Sequence, residues 1–336
     1  MSMNIGNERS HPNDIEMTNP PVKTPSDTDT DTDTGEFVSH DEDETSRFLA
    51  EAPRQRVRVV VAGKSDKGNV RPTNEDNFIA VKRYRGRELL TTSLPLDMLE
   101  HVEDHAYTYA VADGMGGRDF GELASLLALK TGWELGSDEI KWTVKINDRE
   151  EEELRQKAEV FFQLIHRTLH EAVRQNPRMS GMGTTLTICY TTGPELFVMH
   201  AGDSRAYLIR DGDARQLTRD HNMAQVLVDA GAAIAGSAEA KRVRHVLTNC
   251  LGGQTGAVTV DVTQEKLQDG DRLLLCSDGL TDMISDKEIA AEITRHQAPS
   301  DACHALVELA LERGGRDNIT VLIAHYLFDN EINRPR

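Results

Sequence analysis

Residues 183–210 read GTTLTICYTTGPELFVMHAGDSRAYLIR, and their pattern decides the fold. Three strand-like runs, 183–192, 196–201 and 206–210, follow one another with short breaks and are rich in β-branched and aromatic residues. Working outward, further strands are expected at 56–63, 77–82, 106–112, 258–262, 272–276 and 319–326. Helices are expected in pairs. Residues 120–133 carry Ala124, Ser125 and Ala128, which allow close packing, and residues 150–174 align Leu154, Ala158, Phe161, Phe162, Ile165 and Leu169 on one side. Residues 286–296 and 300–313 form a second pair, opened by Asp286 and Ser300, which suit capping. Residues 223–231 and 239–251 read as a separate helical flap. Hairpin-linked strands with paired helices predict an α+β layered fold, not a doubly wound βαβ sheet.

The whole chain has 336 residues and a net charge of -18. That length gives ample core for one large domain. The acidic balance argues against a nucleic-acid surface, which needs a basic stripe. No apolar run is long enough for a transmembrane helix, and residues 1–10 lack the basic-then-apolar pattern of a secretory leader. Four widely spaced cysteines, without Cys-x-x-Cys, fit reduced core thiols in a cytoplasm. The expected organisation is an acidic, Pro- and Thr/Asp-rich arm at 1–55, a globular domain at 56–328 with the flap at about 219–256, and a short tail at 329–336. The arm has too few large apolar residues to offset its ordering entropy, and its threonines are candidate phosphorylation sites. The irregular stretch 89–104 reads as an insertion of unassigned role.

Five short acidic segments are scattered over the globular part. They are Asn74-Glu75-Asp76, Asp113-Gly114-Met115-Gly116-Gly117, Gly202-Asp203-Ser204-Arg205, Ser277-Asp278-Gly279-Leu280-Thr281-Asp282 and Gly315-Arg316-Asp317-Asn318. Asp113, Asp203 and Asp278 lie at the ends of apolar strand runs, where a carboxylate is costly unless paired or bound to a cation. Any one of these aspartates alone reads as a turn or cap residue; their joint occurrence points to a hard-cation cluster. Oxygen donors suit magnesium or manganese, and the Gly114 carbonyl is a plausible extra ligand. Two such ions a few ångströms apart lower the pKa of a shared water and generate hydroxide near neutral pH, a nucleophile for phosphorus. Arg71 supplies a cationic fork for phosphate.

These segments resemble the metal-dependent serine/threonine protein phosphatases of type 2C, the PPM family. The resemblance runs from about Val59 to His325 and is carried by Val70-Arg71-Pro72-Thr73-Asn74-Glu75-Asp76, Asp113-Gly114-Met115-Gly116-Gly117, Gly183-Thr184-Thr185, Ala201-Gly202-Asp203-Ser204-Arg205, Leu217-Thr218-Arg219-Asp220-His221, Ser277-Asp278-Gly279-Leu280 and Asp317-Asn318-Ile319-Thr320. The Met115 loop and the flap are similar to the bacterial branch. The resemblance implies a central antiparallel β-sandwich flanked by α-helices on both faces, a four-layer αββα arrangement with the metals at one end. It implies that Asp113 bridges two Mn2+ or Mg2+ ions, with the Gly114 carbonyl on one and Asp278 and Asp317 on the other. Asp76 then orients solvent near the first ion, with Glu75 behind it, and Arg71 binds the substrate phosphate. Asp203, with Asp278 and Asp282, matches a weaker third metal site. Gly183-Thr184-Thr185 is expected to serve strand packing. The implied activity is hydrolysis of phosphoserine and phosphothreonine, and the implied partners are phosphorylated proteins, namely a serine/threonine kinase and its substrates. A cytoplasmic monomer without nucleic-acid or membrane partners is expected.

One departure concerns proton transfer. Some members carry a His after the Asp-Gly pair; here Met115 stands there and donates no proton. Solvent held by the cations is the first candidate donor and His221 the second, against a structural role for His221 under the flap. The competing readings are a phosphoprotein-binding module that has lost catalysis, disfavoured because Asp76, Asp113, Asp278 and Asp317 are all kept, and a two-metal nuclease, disfavoured by the charge. Other signals are set aside. His166 and His170 are taken for a surface pair. The 101–105 stretch lacks the catalytic Glu of a zinc protease, Gly63-Lys64-Ser65 lacks the first Gly of a phosphate loop, and Asp119 breaks a dinucleotide fingerprint. Cys276 is expected to be a buried strand residue.

Overall fold

The block that opens the sequence argument folds as an antiparallel ladder. In the computed structural model, which describes residues 56–85, 90, 91, 93, 104–116, 120–138, 148–254 and 256–329, it comprises β4 (Gly183–Thr184), β5 (Leu186–Thr192), β6 (Glu195–Ala201) and β7 (Arg205–Arg210). The arm at 1–55, nearly all of the 89–104 stretch and the tail beyond Asp329 lie outside the described residues. Strands β5 and β6 pair from Leu186↔Ala201 to Thr192↔Glu195. The chain then changes sheet at Gly202-Asp203-Ser204, because β7 pairs with β11 (Arg272–Cys276) and not with β6.

Two antiparallel sheets result. One has the order β1 (Arg56–Asp66), β12 (Ile319–Asp329), β11, β7, β8 (Asp213–Gln216). The other runs β10 (Asp261–Lys266), β6, β5, β3 (Asp104–Met115), β4, β9 (Leu251–Gly252), with β2 (Asp76–Arg85) also paired to β3. Against the second sheet lie α1 (Gly121–Asp138) and α2 (Asp148–Gln175). Between β8 and β9 run the short helices α3 (Met223–Asp229) and α4 (Ala238–Val243), and α5 (Asp278–Thr281), α6 (Asp286–Arg295) and α7 (Pro299–Glu312) lie between β11 and β12.

Three cores separate four layers, which is the predicted αββα order. Strand β3 shows how the sequence builds it: Tyr107, Tyr109 and Val111 point into the core between the sheets, while Ala110 and Ala112 point at α1 and α2. A strand buried on both faces cannot alternate apolar and polar, hence its unbroken apolar reading. Helices α6 and α7 cover the other sheet through Ile289, Ile293, Leu306 and Val307. Burial of each such side chain contributes about 1.5–3 kcal/mol. The cysteines are buried and none forms a disulfide, Cys276 among them. Among the described residues no helix is long and apolar enough to cross a membrane.

Some expectations shift. Strand β8 escaped the sequence reading because it is short and polar. Its signal was Asp211-Gly212, which have φ of 53° and 83° and close a two-residue turn between Arg210 and Asp213. Strand β10 lies at Asp261–Lys266 and not at 258–262, since its register is set by Asp261↔His200 and Lys266↔Glu195. The second flap helix ends at Val243; beyond it the chain turns, and the Asn249 amide bonds both Thr259 N and Thr259 O. His166 and His170 are no surface pair. His166 is buried, its Nε2 is 3.0 Å from His170 Nε2, and its Nδ1 accepts the Gly252 N–H.

Candidate metal centre

The topology gathers the acidic segments at one end of the sandwich. Asp76 opens β2 directly opposite Asp113 near the end of β3. Asp203 sits in the crossing between the sheets, Asp278 follows β11, and Asp317 precedes β12. Backbone pairing thus brings together residues about 240 positions apart in sequence.

Each position has a local cause. The Asp113 N–H donates to Thr185 Oγ1 (3.0 Å), and its C=O accepts from Thr185 N (2.9 Å) and Thr184 Oγ1 (2.9 Å). The threonines therefore fix the Asp113 backbone, as expected of a packing role. At Gly114 a Cβ would drive into the Gly121 carbonyl and come within 2.7 Å of Glu75 O, so only glycine allows this close approach. Glu75 is set against the start of α1: its C=O accepts from Gly114 N (3.2 Å) and Ser125 Oγ (2.6 Å). Asp76 Oδ2 accepts from Ser277 Oγ (2.7 Å), while Asp76 Oδ1 is buried with no hydrogen-bond partner. Asp317 Oδ1 accepts the Asn318 N–H (2.9 Å), and Asp317 Oδ2 accepts Arg71 Nη2 at 2.6 Å. Asp282 pairs with Arg244 of the flap.

The carboxylates perturb one another. Burial, followed by the charges of neighbouring aspartates, pushes Asp113 and Asp278 well above the ordinary carboxylate range. Burial lifts Asp76 to about 6 and Asp203 to about 7. Asp282 is raised by burial, against the opposing pull of Arg244. Asp203 and Asp282 both act on Asp278, so these three share one region, as do Asp76 and Asp317 with Asp113. Among the described residues, no three His, Cys, Asp or Glu side chains already close around one point as a finished cage. The fit to hard cations rests instead on the donor set, all oxygen, and on the orphaned Asp76 Oδ1. A buried carboxylate oxygen in that position needs a proton or a cation.

Of the residues weighed for proton transfer, Met115 offers no donor and His221 is held by protein partners. Met115 Cε packs toward Gly183 and Gly253. His221 lies at the root of the flap: Nδ1 accepts from Gly202 N (3.2 Å) and faces Asn249 Nδ2 (2.9 Å), and Nε2 faces Asp261 Oδ2 (3.0 Å). Both of its nitrogens are engaged by protein, which is the structural role. Sequence reasoning missed Ser277 and Asn318 as partners of the acidic groups, although each adjoins a chosen aspartate. Nothing in the sequence singled out Arg244.

A β-sandwich with helices outside and a carboxylate-lined end defines the class of metal-dependent phosphatase folds. The sequence matches the family described as Protein phosphatase 2C over residues 86–310. It is 35% identical over 271 residues to the serine/threonine protein phosphatase PstP of Mycobacterium tuberculosis, covering 80% of this chain and 46% of that protein. It is 31% identical over 260 residues to the serine/threonine phosphatase stp of Listeria welshimeri, covering 77% of this chain and 93% of that protein. The solved catalytic domain of PstP in complex with 2 manganese ions superposes with a TM-score of 0.62 at 32% identity, covering 81% of this chain and 100% of that one. The S. agalactiae serine/threonine phosphatase gives 0.64 at 28% identity, covering 80% and 99%. This chain belongs to the protein phosphatase 2C family. It spans about half the length of the mycobacterial relatives it matches.

Proposed function

We propose that this chain hydrolyses phosphoserine and phosphothreonine in proteins, using two divalent cations held at the acidic end of the sandwich. The observation that carries the reading is the convergence of Asp113, Asp278 and Asp317 on a buried Asp76 with an unpartnered oxygen. The manganese found in the PstP catalytic domain supports the choice of Mn2+ or Mg2+. Asp113, the Gly114 carbonyl, Asp278 and Asp317 would hold the pair, with Asp76 beside the first ion and Glu75 behind it. Asp203, Asp278 and Asp282 would hold a weaker third. When bound, such a pair supplies Lewis acidity and a hydroxide nucleophile near neutral pH.

The chain's own residues do the rest. Arg71 pairs with Asp317, so its exposed guanidinium would lie beside cations held there and could fork onto two phosphate oxygens. Residues 56–328 form the catalytic domain in this reading, with the flap at about 219–256. The partners are phosphorylated proteins, with a serine/threonine kinase acting in opposition, and the protein works as a cytoplasmic monomer.

The test is hydrolysis of p-nitrophenyl phosphate and of phosphothreonine and phosphotyrosine peptides, with Mn2+, with Mg2+ and with chelator. Turnover is expected only with metal, with phosphothreonine preferred over phosphotyrosine. Arg71→Ala should raise KM by roughly tenfold or more and change kcat less, as loss of a charge-assisted phosphate contact does. Equal rates in chelator would remove the metals from the mechanism.

A further inference from the structure

We infer that Asn318 is a positioning residue that locks the loop carrying Arg71 to Asp317, so that the phosphate clamp and the neighbouring Asp317 are set by one residue. The inference rests on the phosphatase reading and deepens it by assigning what holds the clamp in place.

Asn318 is 5% exposed. Its Oδ1 accepts the Glu75 N–H at 2.8 Å. Its Nδ2 donates to Lys67 O and to Thr73 O, both at 2.8 Å. All three partners are main-chain groups of the 67–75 loop, and they flank Arg71 on both sides. The Asn318 N–H also donates to Asp317 Oδ1 at 2.9 Å, which leaves Oδ2 to Arg71 at 2.6 Å. One residue thus orients Asp317 from the main chain and the Arg71 loop from the side chain.

Arg71 cannot fix its own place, because its side chain is 51% exposed. The loop has other ties: Asn69 N donates to Gly315 O (2.7 Å) and Asn74 Nδ2 to Ser65 Oγ (2.8 Å). These hold its flanks, so loss of the Asn318 amide is expected to loosen the loop without unfolding the domain. The chemistry at 318 is specific. One acceptor and two donors in a plane are required; Asp offers only acceptors, and Gln places the same amide one carbon further out.

The test is a double-mutant cycle on the full chain with Mn2+ and p-nitrophenyl phosphate, pairing Asn318→Ala with Arg71→Ala. Asn318→Ala alone should raise KM by about tenfold with kcat within about threefold, as expected for lost ground-state binding. In the Arg71→Ala background the same change should move KM by less than about twofold. Asn318→Asp, which keeps the acceptor for Glu75 but sets a second oxygen against the Lys67 and Thr73 carbonyls, should raise KM at least as much as Asn318→Ala. Additive effects, or an unchanged KM in Asn318→Ala, would overturn the assignment. Hydrogen exchange reads the same point without catalysis: the Glu75 amide, held by Asn318 Oδ1, should be protected in wild type and exchange at least about tenfold faster in Asn318→Ala. Equal exchange would also overturn it. Absence of metal-dependent turnover in wild type would instead sink the phosphatase reading, and the exchange experiment would still decide Asn318.

Discussion

Asp76 holds one oxygen on Ser277 and leaves the other buried and unpartnered, a state that stores free energy for a ligand to release. Its pKa rises to about 6, and that of Asp203 to about 7, from an ordinary 3.8, chiefly through burial. The folded, metal-free protein therefore keeps protons that the unfolded chain has already released between pH ~4 and ~7. A raised carboxylate pKa adds stability below that window, and the contribution is lost as pH climbs through it. Thermal melts in chelator should show a lower Tm at pH 8 than at pH 5.5, and Mn2+ at pH 8 should raise it again. Equal melting at the two pH values, or no response to Mn2+, would contradict this electrostatic picture. At this scale Asp113, Asp203 and Asp278 were legible because each stands at the end of an apolar strand run beside glycine. Their partners were less so, since a hydroxyl such as Ser277 Oγ carries no signal until the fold brings it beside a residue 201 positions away.

The element that sets the site is β3, which runs from the core between Tyr107 and Val111 out to the acidic end at Asp113 and Gly114. Its last residues touch three neighbours: β2 through Asp76, β4 through Thr184, and the start of α1 through Gly121. Substituting Gly114→Ala should displace β3 from Gly121 and Glu75. The expected cost is on the order of 1–3 kcal/mol, typical of overpacking, together with loss of at least about 90% of metal-dependent turnover. Wild-type activity and an unchanged denaturation midpoint would show that the strand end has slack. Strands with strong apolar character, such as β5 and β11, were readable from sequence. The polar edge strands β8 and β10 were not, because an edge needs few buried side chains and its register comes from the partner strand. The flap helix also ends earlier than its sequence pattern suggests, at Val243, and the chain beyond it is tied through Asn249 to Thr259.

Among the described residues, three apolar cores hold the layers together and the candidate site lies at one rim. Between the sheets, Tyr326 Oη lies 3.2 Å from both Tyr109 Oη and Thr191 Oγ1, a buried polar cluster. Tyr326→Phe would leave two buried hydroxyls short of a partner, which costs about 1–3 kcal/mol. Chemical denaturation should record that loss while kcat with Mn2+ stays within about twofold of wild type. A drop in kcat without a change in stability would mean that the sandwich core and the rim are coupled. A layered α+β fold was legible from hairpins and paired helices, and the αββα order came with the family resemblance. Which residues meet at the rim was carried by the family resemblance, because only the register of β2, β3, β11 and β12 converts distant aspartates into neighbours.

The central claim is that distant carboxylates share divalent cations. Calorimetric titration of the full chain with Mn2+ at pH 7.5 tests it most directly. About two tightly bound equivalents are expected for wild type, and Asp113→Ala should lose both while keeping its fold by circular dichroism. Wild-type protein that takes up no Mn2+, or an Asp113→Ala variant that binds it undiminished, would contradict the account.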